Sequence, residues 1–133
     1  VYLVLIADDV DCLHWVTNAP EHTIIVLCSR AQPSSKMLLQ TYAKNNRHYK
    51  YCIALNLRFT PSGSAFDIES SWGAASITLP LIGQFNIANL LTAFSALLLQ
   101  GVNFERLVDA VASIEGVPGR MEVFESRQYG NII

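Results

Sequence analysis

The sequence predicts a single α/β domain in which parallel strands are combined with a helical hairpin and a small antiparallel β-meander. Three observations lead to this expectation: a strand–helix–strand pattern at the beginning, strand-like segments joined by short turns in the middle, and two consecutive amphipathic helices further on. The chain has 133 residues, of which 51% are hydrophobic and 15% are charged. That length suits one domain, and the large apolar content excludes a disordered chain.

The strand–helix–strand pattern begins with residues 1–7, a continuous apolar run typical of a strand buried on both faces of a parallel sheet. Asp8 and Asp9 follow, and an Asp at this place can cap the N-terminus of a helix. A short helix is predicted to about residue 18, and a second buried strand at residues 23–27. The buried face of the helix is expected to contain Val10, Leu13 and Val16.

Residues 30–58 contain six cationic side chains and no acidic one. The cationic residues are Arg30, Lys36, Lys44, Arg47, Lys50 and Arg58. Two interpretations stay open: a patch that faces an anion, and a solvated face that follows a loop and a strand. The second is favoured because the charges have neither a helical nor a strand period.

Further short strands are predicted in the middle and at the end of the chain. They lie at residues 51–59, 65–71, 75–81, 121–125 and 131–133. The connections at 60–64 and 72–74 are short, and such turns join antiparallel neighbours. The middle strands therefore predict a small antiparallel sheet inserted into the α/β fold, and the last two strands flank a turn at 126–130.

The helical hairpin begins with a strongly apolar helix at residues 84–99, which Gly101 ends. Asn103 is expected to cap the second helix, which ends before Gly116. The first helix is expected to bury Ile87, Leu90, Leu91, Phe94, Leu97 and Leu98. The second is expected to bury Phe104, Leu107, Val108, Val111 and Ile114.

Composition narrows the function classes. The net charge of −2 and a pI near 5.9 argue against a basic nucleic-acid-binding domain. No apolar run approaches the roughly 20 residues that span a bilayer, and no signal peptide is visible. The three cysteines, Cys12, Cys28 and Cys52, are expected to be free thiols in a reducing, cytoplasmic setting, and no metal site is expected.

Two asparagines offer the first candidate site. Asn86 and Asn89 are three residues apart at the start of a helix and share the face opposite its leucines. A side-chain amide has both a donor and an acceptor, as the N6/N7 edge of adenine requires, and a helix N-terminus favours phosphate. The alternative is that Asn86 is only an N-cap and Asn89 only a solvated residue.

Two weaker signals involve charged residues. Arg120, after Gly119 and before a predicted strand, could bind ribose or phosphate with Glu122 orienting it, or form a surface ion pair. Asp8 and Asp9 could perform acid–base chemistry, although adjacent side chains diverge and a capping role explains one of them. Neither a G-x-x-x-x-G-K-[ST] phosphate loop nor a G-x-S-x-G elbow occurs, so we expect no catalytic residue in this chain.

Four segments in this order resemble the bacterial Mur ligases, most closely the type that adds the third residue of the peptide. They are residues 7–9 (ADD), 70–73 (SSWG), 83–93 (GQFNIANLLTA) and 119–124 (GRMEVF). The resemblance covers essentially the whole chain. It departs from the family at Ile6, where the family often has Asn. Folylpolyglutamate and cyanophycin synthetases share this architecture, and a non-catalytic nucleotide-binding or interaction module is a further alternative.

The resemblance implies that residues 1–133 are the later part of a Rossmann-like central ATPase domain. The UDP-binding domain, the phosphate loop and the C-terminal domain are then expected outside this chain, which would be inactive alone and could self-associate. The whole enzyme would use ATP and Mg²⁺ to join a diamino acid to UDP-MurNAc-L-Ala-D-Glu. The resemblance places Asn86 and Asn89 at the adenine, and Arg120 at the ribose or phosphate.

Overall fold

A computed structural model describes residues 1–31, 34–42 and 48–116, together with the backbone of a hairpin formed by β6 (Phe124–Ser126) and β7 (Gly130–Ile132). One sheet has the order β1-β2-β3-β4-β5. Its strands are β1 (Tyr2–Ile6), β2 (Ile24–Ser29), β3 (His48–Thr60), β4 (Gly63–Ser70) and β5 (Gly73–Leu79). The helices are α1 (Cys12–Asn18), α2 (Ser35–Tyr42), α3 (Gln84–Leu99) and α4 (Phe104–Val111). The predicted α/β class is confirmed.

The sheet is mixed, and β3 joins its two parts. Strands β1, β2 and β3 run parallel, whereas β4 is antiparallel to β3 and β5 is antiparallel to β4. The predicted antiparallel meander is confirmed, but it continues the parallel sheet through β3 and is not inserted as a sheet of its own. The reason is that β3 begins at His48, earlier than predicted, and its first residues pair with β2, with His48 opposite Ile24.

Helices cover the sheet on both faces. Val26 and Cys28 of β2 belong to a core that α3 and α4 complete, with Leu91 and Phe94 buried in it. Ile25 and Leu27 belong to a second core that α1 and α2 complete. Because β2 contributes alternate residues to the two cores, it is apolar up to Cys28, as expected for a central parallel strand, and only its last residue, Ser29, is polar.

Helix α2 was not predicted. It lies within the basic segment, for which a solvated, irregular face was the favoured interpretation. Only Leu38 of this helix is buried, so its sequence carries little apolar periodicity. A local signal was nevertheless present, because the Ser34 hydroxyl accepts a hydrogen bond from the Met37 amide at 3.3 Å, as at the start of a helix.

Three residues predicted to be buried are exposed. Val10 is 94% and Leu13 is 61% exposed, because α1 begins only at Cys12 and turns Cys12 and Val16 toward the core. Leu97 in α3 is 44% exposed, whereas Ser95 is buried in its place. Ser95 is tolerated there because its hydroxyl lies 3.3 Å from the Cys28 sulfur, within hydrogen-bond distance.

The cysteines are free thiols, as predicted. Cys28 and Cys52 lie opposite each other on β2 and β3, beneath α3. Burial raises the pKa of both thiols to about 12 and raises the pKa of Cys12 as well. The thiols are therefore protonated near neutral pH and act as small apolar core groups.

The helical hairpin follows its local sequence signals. Gly101 adopts a φ of 88° after α3 and lets the chain leave the helix. The Asn103 side chain accepts a hydrogen bond from the Arg106 amide at 3.1 Å and caps α4, as predicted. Phe104 then packs edge-on against Phe94, with ring centroids 5.7 Å apart. No helix in the described part of the chain is long and apolar enough to cross a membrane.

Replacing Asn103 by Ala is expected to lower the free energy of unfolding by about 1 kcal/mol, because the Arg106 amide loses its acceptor. Asn103→Asp should retain most of the stability, since a carboxylate can accept the same bond. Urea denaturation measures both changes. Equal stability of Asn103→Ala and the unmodified chain would contradict the capping role.

Candidate functional site

The carboxyl ends of β1 and β2 are tied together by Asp8. Its carboxylate accepts hydrogen bonds from the Ser29 hydroxyl at 2.6 Å and from the Arg30 amide at 2.8 Å. The expectation that an Asp of this pair caps the following helix is wrong, because Asp8 bonds to residues 29 and 30 and the N-cap position of α1 is Asp11. Asp8 instead joins two strand ends at the edge where parallel α/β sheets bind their ligands.

Asp9 has a different and local role. Its carboxylate accepts a hydrogen bond from the Asp11 amide at 2.9 Å and closes a turn before α1, and Asp11 itself makes no side-chain cap bond. Neighbouring Asp8 and Asp9 thus hold different partners. Nothing in this geometry gives the pair an acid–base task.

Arg30 extends the same edge toward α3. Its Nη1 donates to Oε1 of Gln84, the first residue of α3, at 3.3 Å. Arg30 is half-buried, so the interpretation of residues 30–58 as a uniformly solvated basic face is wrong for this residue. It is wrong for Lys50 too, whose ammonium lies 5.1 Å from the centre of the Trp72 ring. Lys36 and Arg58 are exposed, as that interpretation expects.

A shallow cleft of about 370 Å³ lies along this edge. Its lining is Ile6, Asp8, Asp9, Val10 and Arg30. Ile6 contributes the end of β1 to this lining, and its side chain packs against the core that α3 and α4 complete.

The N-terminus of α3 provides the other half of the candidate site. Gly83 precedes the helix with a φ of 101°, and it supplies no side-chain cap. Asn86 is therefore not the N-cap, and that part of the alternative is wrong, whereas Asn89 is exposed, as the alternative expects. The Asn86 amide donates instead to the Ile82 carbonyl at 2.6 Å, which fixes the side chain and leaves its oxygen without a partner among the described residues.

Asn89 is exposed one turn further along α3, and Asn86 is half-buried. Both lie away from the face that buries Ile87 and Leu91. Phe85 directly precedes Asn86 in the sequence. Its side chain is 45% exposed, and the edge of its ring lies near Gly83. Two amides and an aromatic ring thus stand on the solvent side of the first two turns of α3.

Arg120 and Glu122 lie outside the described residues, and so does most of the segment at 119–124. The structure thus brings the ends of β1 and β2 to the start of α3. The link through Asp8, Arg30 and Gln84 was missed at the level of sequence. The available signal was the place of Arg30, directly after a buried strand and at its carboxyl end.

The described residues do not fit a magnesium site by themselves. They contain no group of three or more His, Cys, Asp or Glu side chains that could hold a metal ion. Asp8 already accepts bonds on both carboxylate oxygens, so it is poorly placed to act as an open ligand.

A family model and sequence relatives agree on one family. The model of the Mur ligase middle domain matches residues 4–97. A UDP-N-acetylmuramoyl-L-alanyl-D-glutamate–2,6-diaminopimelate ligase of Bacillus licheniformis is 32% identical over 98 residues, which are 74% of this chain and 20% of the relative. The ligase of the same name from Haemophilus influenzae is 30% identical over 122 residues, 92% of this chain and 22% of the relative. The chain thus spans about a fifth of these relatives.

Solved structures show the same fold. MurF from Acinetobacter baumannii superposes with a TM-score of 0.59 at 15% identity, over 84% of this chain and 25% of that one. MurF from Thermotoga maritima in complex with ADP gives a TM-score of 0.55 at 14% identity, over 84% and 26% of the two chains. A mutant of folylpolyglutamate synthetase (FPGS) from L. casei also gives 0.55 at 14% identity, over 94% and 36%.

Replacing Asp8 by Ala is expected to lower the free energy of unfolding by about 1–3 kcal/mol, because the Ser29 hydroxyl and the Arg30 amide lose their acceptor. Asp9→Ala is the matched control and should cost less, since Asp9 is exposed and bonds only within its own turn. Chemical denaturation compares the two variants. An equal or larger loss for Asp9→Ala would contradict the role assigned to Asp8.

Proposed function

The chain belongs to the Mur ligase family, and from that premise we propose that it forms the nucleotide-side part of a ligase of peptidoglycan precursor synthesis. The whole protein would use ATP to join a diamino acid to UDP-MurNAc-L-Ala-D-Glu. The names of the relatives at 30–32% identity support this substrate pair, with 2,6-diaminopimelate as the diamino acid. We further propose a cytoplasmic location and expect the isolated chain to self-associate.

The proposed reaction has two steps. The terminal phosphoryl group of ATP is transferred to the D-glutamate carboxylate, which forms an acyl phosphate and releases ADP. The amine of the diamino acid then attacks the acyl carbon, phosphate leaves, and an amide bond remains. Such transfer depends mainly on positioning and charge neutralisation. We propose magnesium as the counter-ion of ATP, and none of the described residues is assigned to it.

One observation carries the proposed role of this chain. The amides of Asn86 and Asn89 stand on the solvent side of α3, and the Asn86 oxygen has no partner among the described residues. An amide that offers both a donor and an acceptor matches the adenine edge. We assign both asparagines to the base, and we propose that Arg120, outside the described residues, contacts the ribose or phosphate.

A second candidate is a related ligase of the folylpolyglutamate or cyanophycin synthetase type. The likeness to folylpolyglutamate synthetase covers 94% of this chain, but at 14% identity it speaks for the fold alone. Sequence relatives that match 74% and 92% of this chain at 32% and 30% identity favour the peptidoglycan ligase. A non-catalytic nucleotide-binding module is the third candidate. It is supported by the carboxylates of Asp8 and Asp9, which accept hydrogen bonds within the fold and have no evident acid–base role.

The isolated chain is expected to release no phosphate from ATP in the presence of magnesium, because its sequence contains no G-x-x-x-x-G-K-[ST] phosphate loop. A colorimetric phosphate assay measures the release, and heat-denatured chain gives the background. Release above that background would show that the chain carries its own catalytic groups and would contradict the assignment.

Asn89→Ala is expected to weaken binding of adenosine by about tenfold, because the base loses a hydrogen bond to this exposed side chain. Asn86→Ala should have a similar effect. Gln100→Ala, which removes an exposed amide at the other end of α3, is the matched control and should leave affinity unchanged. NMR titration gives the dissociation constants. Equal affinity of Asn89→Ala and Gln100→Ala would argue against the adenine site.

A further inference from the structure

We infer that Arg30 is a further residue of the proposed nucleotide site and that its guanidinium binds the phosphate groups of the nucleotide. The inference rests on the proposed function, because it requires a nucleotide at the N-terminus of α3. It concerns a residue of the basic segment that the proposed function leaves without a role. Three observations support the inference: the fixed backbone of Arg30, the unused donors of its side chain, and the charge of its surroundings.

The backbone of Arg30 is held in place. Its amide donates to Asp8 at 2.8 Å, and the next amide, that of Ala31, donates to the Ser29 hydroxyl at 3.2 Å. These bonds fix the turn that follows β2. The main chain of Arg30 is therefore fixed at the carboxyl end of a central parallel strand. A residue held in this way loses little conformational entropy when it binds a ligand.

Most hydrogen-bond donors of the Arg30 guanidinium have no acceptor among the described residues. Of its five N–H groups, one contacts the neutral Oε1 of Gln84, and no carboxylate pairs with it among the described residues. Asp8 lies close by, but its oxygens accept from the Ser29 hydroxyl and the Arg30 main chain. A half-buried Arg without an anionic partner is suited to bidentate contact with phosphate oxygens.

The charge of Arg30 also fits an incoming anion. Its guanidinium contacts the first residue of α3, where the helix dipole places partial positive charge. The first turn of α3 contains no acidic residue, and Gly83 provides no side-chain acceptor for the free amides. The positive charge of the guanidinium and the partial positive charge at the start of α3 repel each other, and an anion bound between them would offset both. Asp8 and Asp9 line the same cleft and oppose such an anion, and the charge of Asp9 is exposed and screened by water.

The decisive experiment compares adenosine, ADP and inorganic diphosphate as probes of the 133-residue chain. Dissociation constants are measured by NMR titration for the unmodified chain, Arg30→Ala, Arg30→Lys and Arg58→Ala. Arg58 is the matched control, an exposed cation of the same basic segment located on β3. Melting temperatures verify folding, which Arg30→Ala should preserve because Asp8 bonds to the main chain of Arg30.

Arg30→Ala is expected to weaken the binding of ADP and of diphosphate about tenfold, because the phosphate groups lose a charge-assisted hydrogen bond at a partly screened site. Adenosine has no phosphate, so its binding should weaken less than twofold. Arg30→Lys should restore part of the affinity, and Arg58→Ala should change nothing. Unchanged ADP and diphosphate affinities in Arg30→Ala would overturn the inference, as would an equal loss for all three probes. If adenosine does not bind while diphosphate binding still requires Arg30, the base site fails and the inference about Arg30 stands.

Discussion

Strand β2 is buried on both faces, and the arrangement of its neighbours follows from that constraint. Ile25 and Leu27 require apolar cover on one face of the sheet, and Val26 and Cys28 require it on the other. Helices α1 and α2 supply the first layer, and α3 and α4 supply the second. Each fully buried aliphatic side chain contributes about 1.5–3 kcal/mol. Loss of either layer would therefore expose a core whose burial exceeds the net stability of an ordinary domain.

This layering also positions the site. Because α3 packs across β1 and β2, its N-terminus arrives at the edge where those strands end. Asp8 then joins the two strand ends, and Arg30 spans from β2 to Gln84. The apolar interior thus determines where the polar groups meet. The side chains proposed to recognise a nucleotide lie on elements that are rigid for reasons unrelated to binding.

Local signals in the sequence were sufficient for some elements and insufficient for others. The apolar face of α3 and the Asn103 cap were predicted because both depend on residues within one or two turns. Helix α2 was missed because Leu38 alone is buried, and the place of β3 was wrong because its first residues pair with a strand far back in the chain. The same distinction holds at the site. Asn86 and Asn89 follow from spacing, whereas Arg30 and Gln84 are 54 residues apart and no local pattern relates them.

Strand β1 lies at an edge of the described sheet, and its composition has a practical consequence. Tyr2–Ile6 carries neither a charge nor a proline, and a depression of about 160 Å³, with Asp9 in its lining, lies between this strand and Trp15. Proteins that stay monomeric usually protect an edge strand with an inward-facing lysine, a bulge or a proline. Such a gatekeeper prevents the strand from pairing with a strand of another chain. Val4 and Ile6 pack on one core and Leu3 and Leu5 on the other, so Tyr2 is the one exposed position of β1 that could take such a gatekeeper without a loss of core packing.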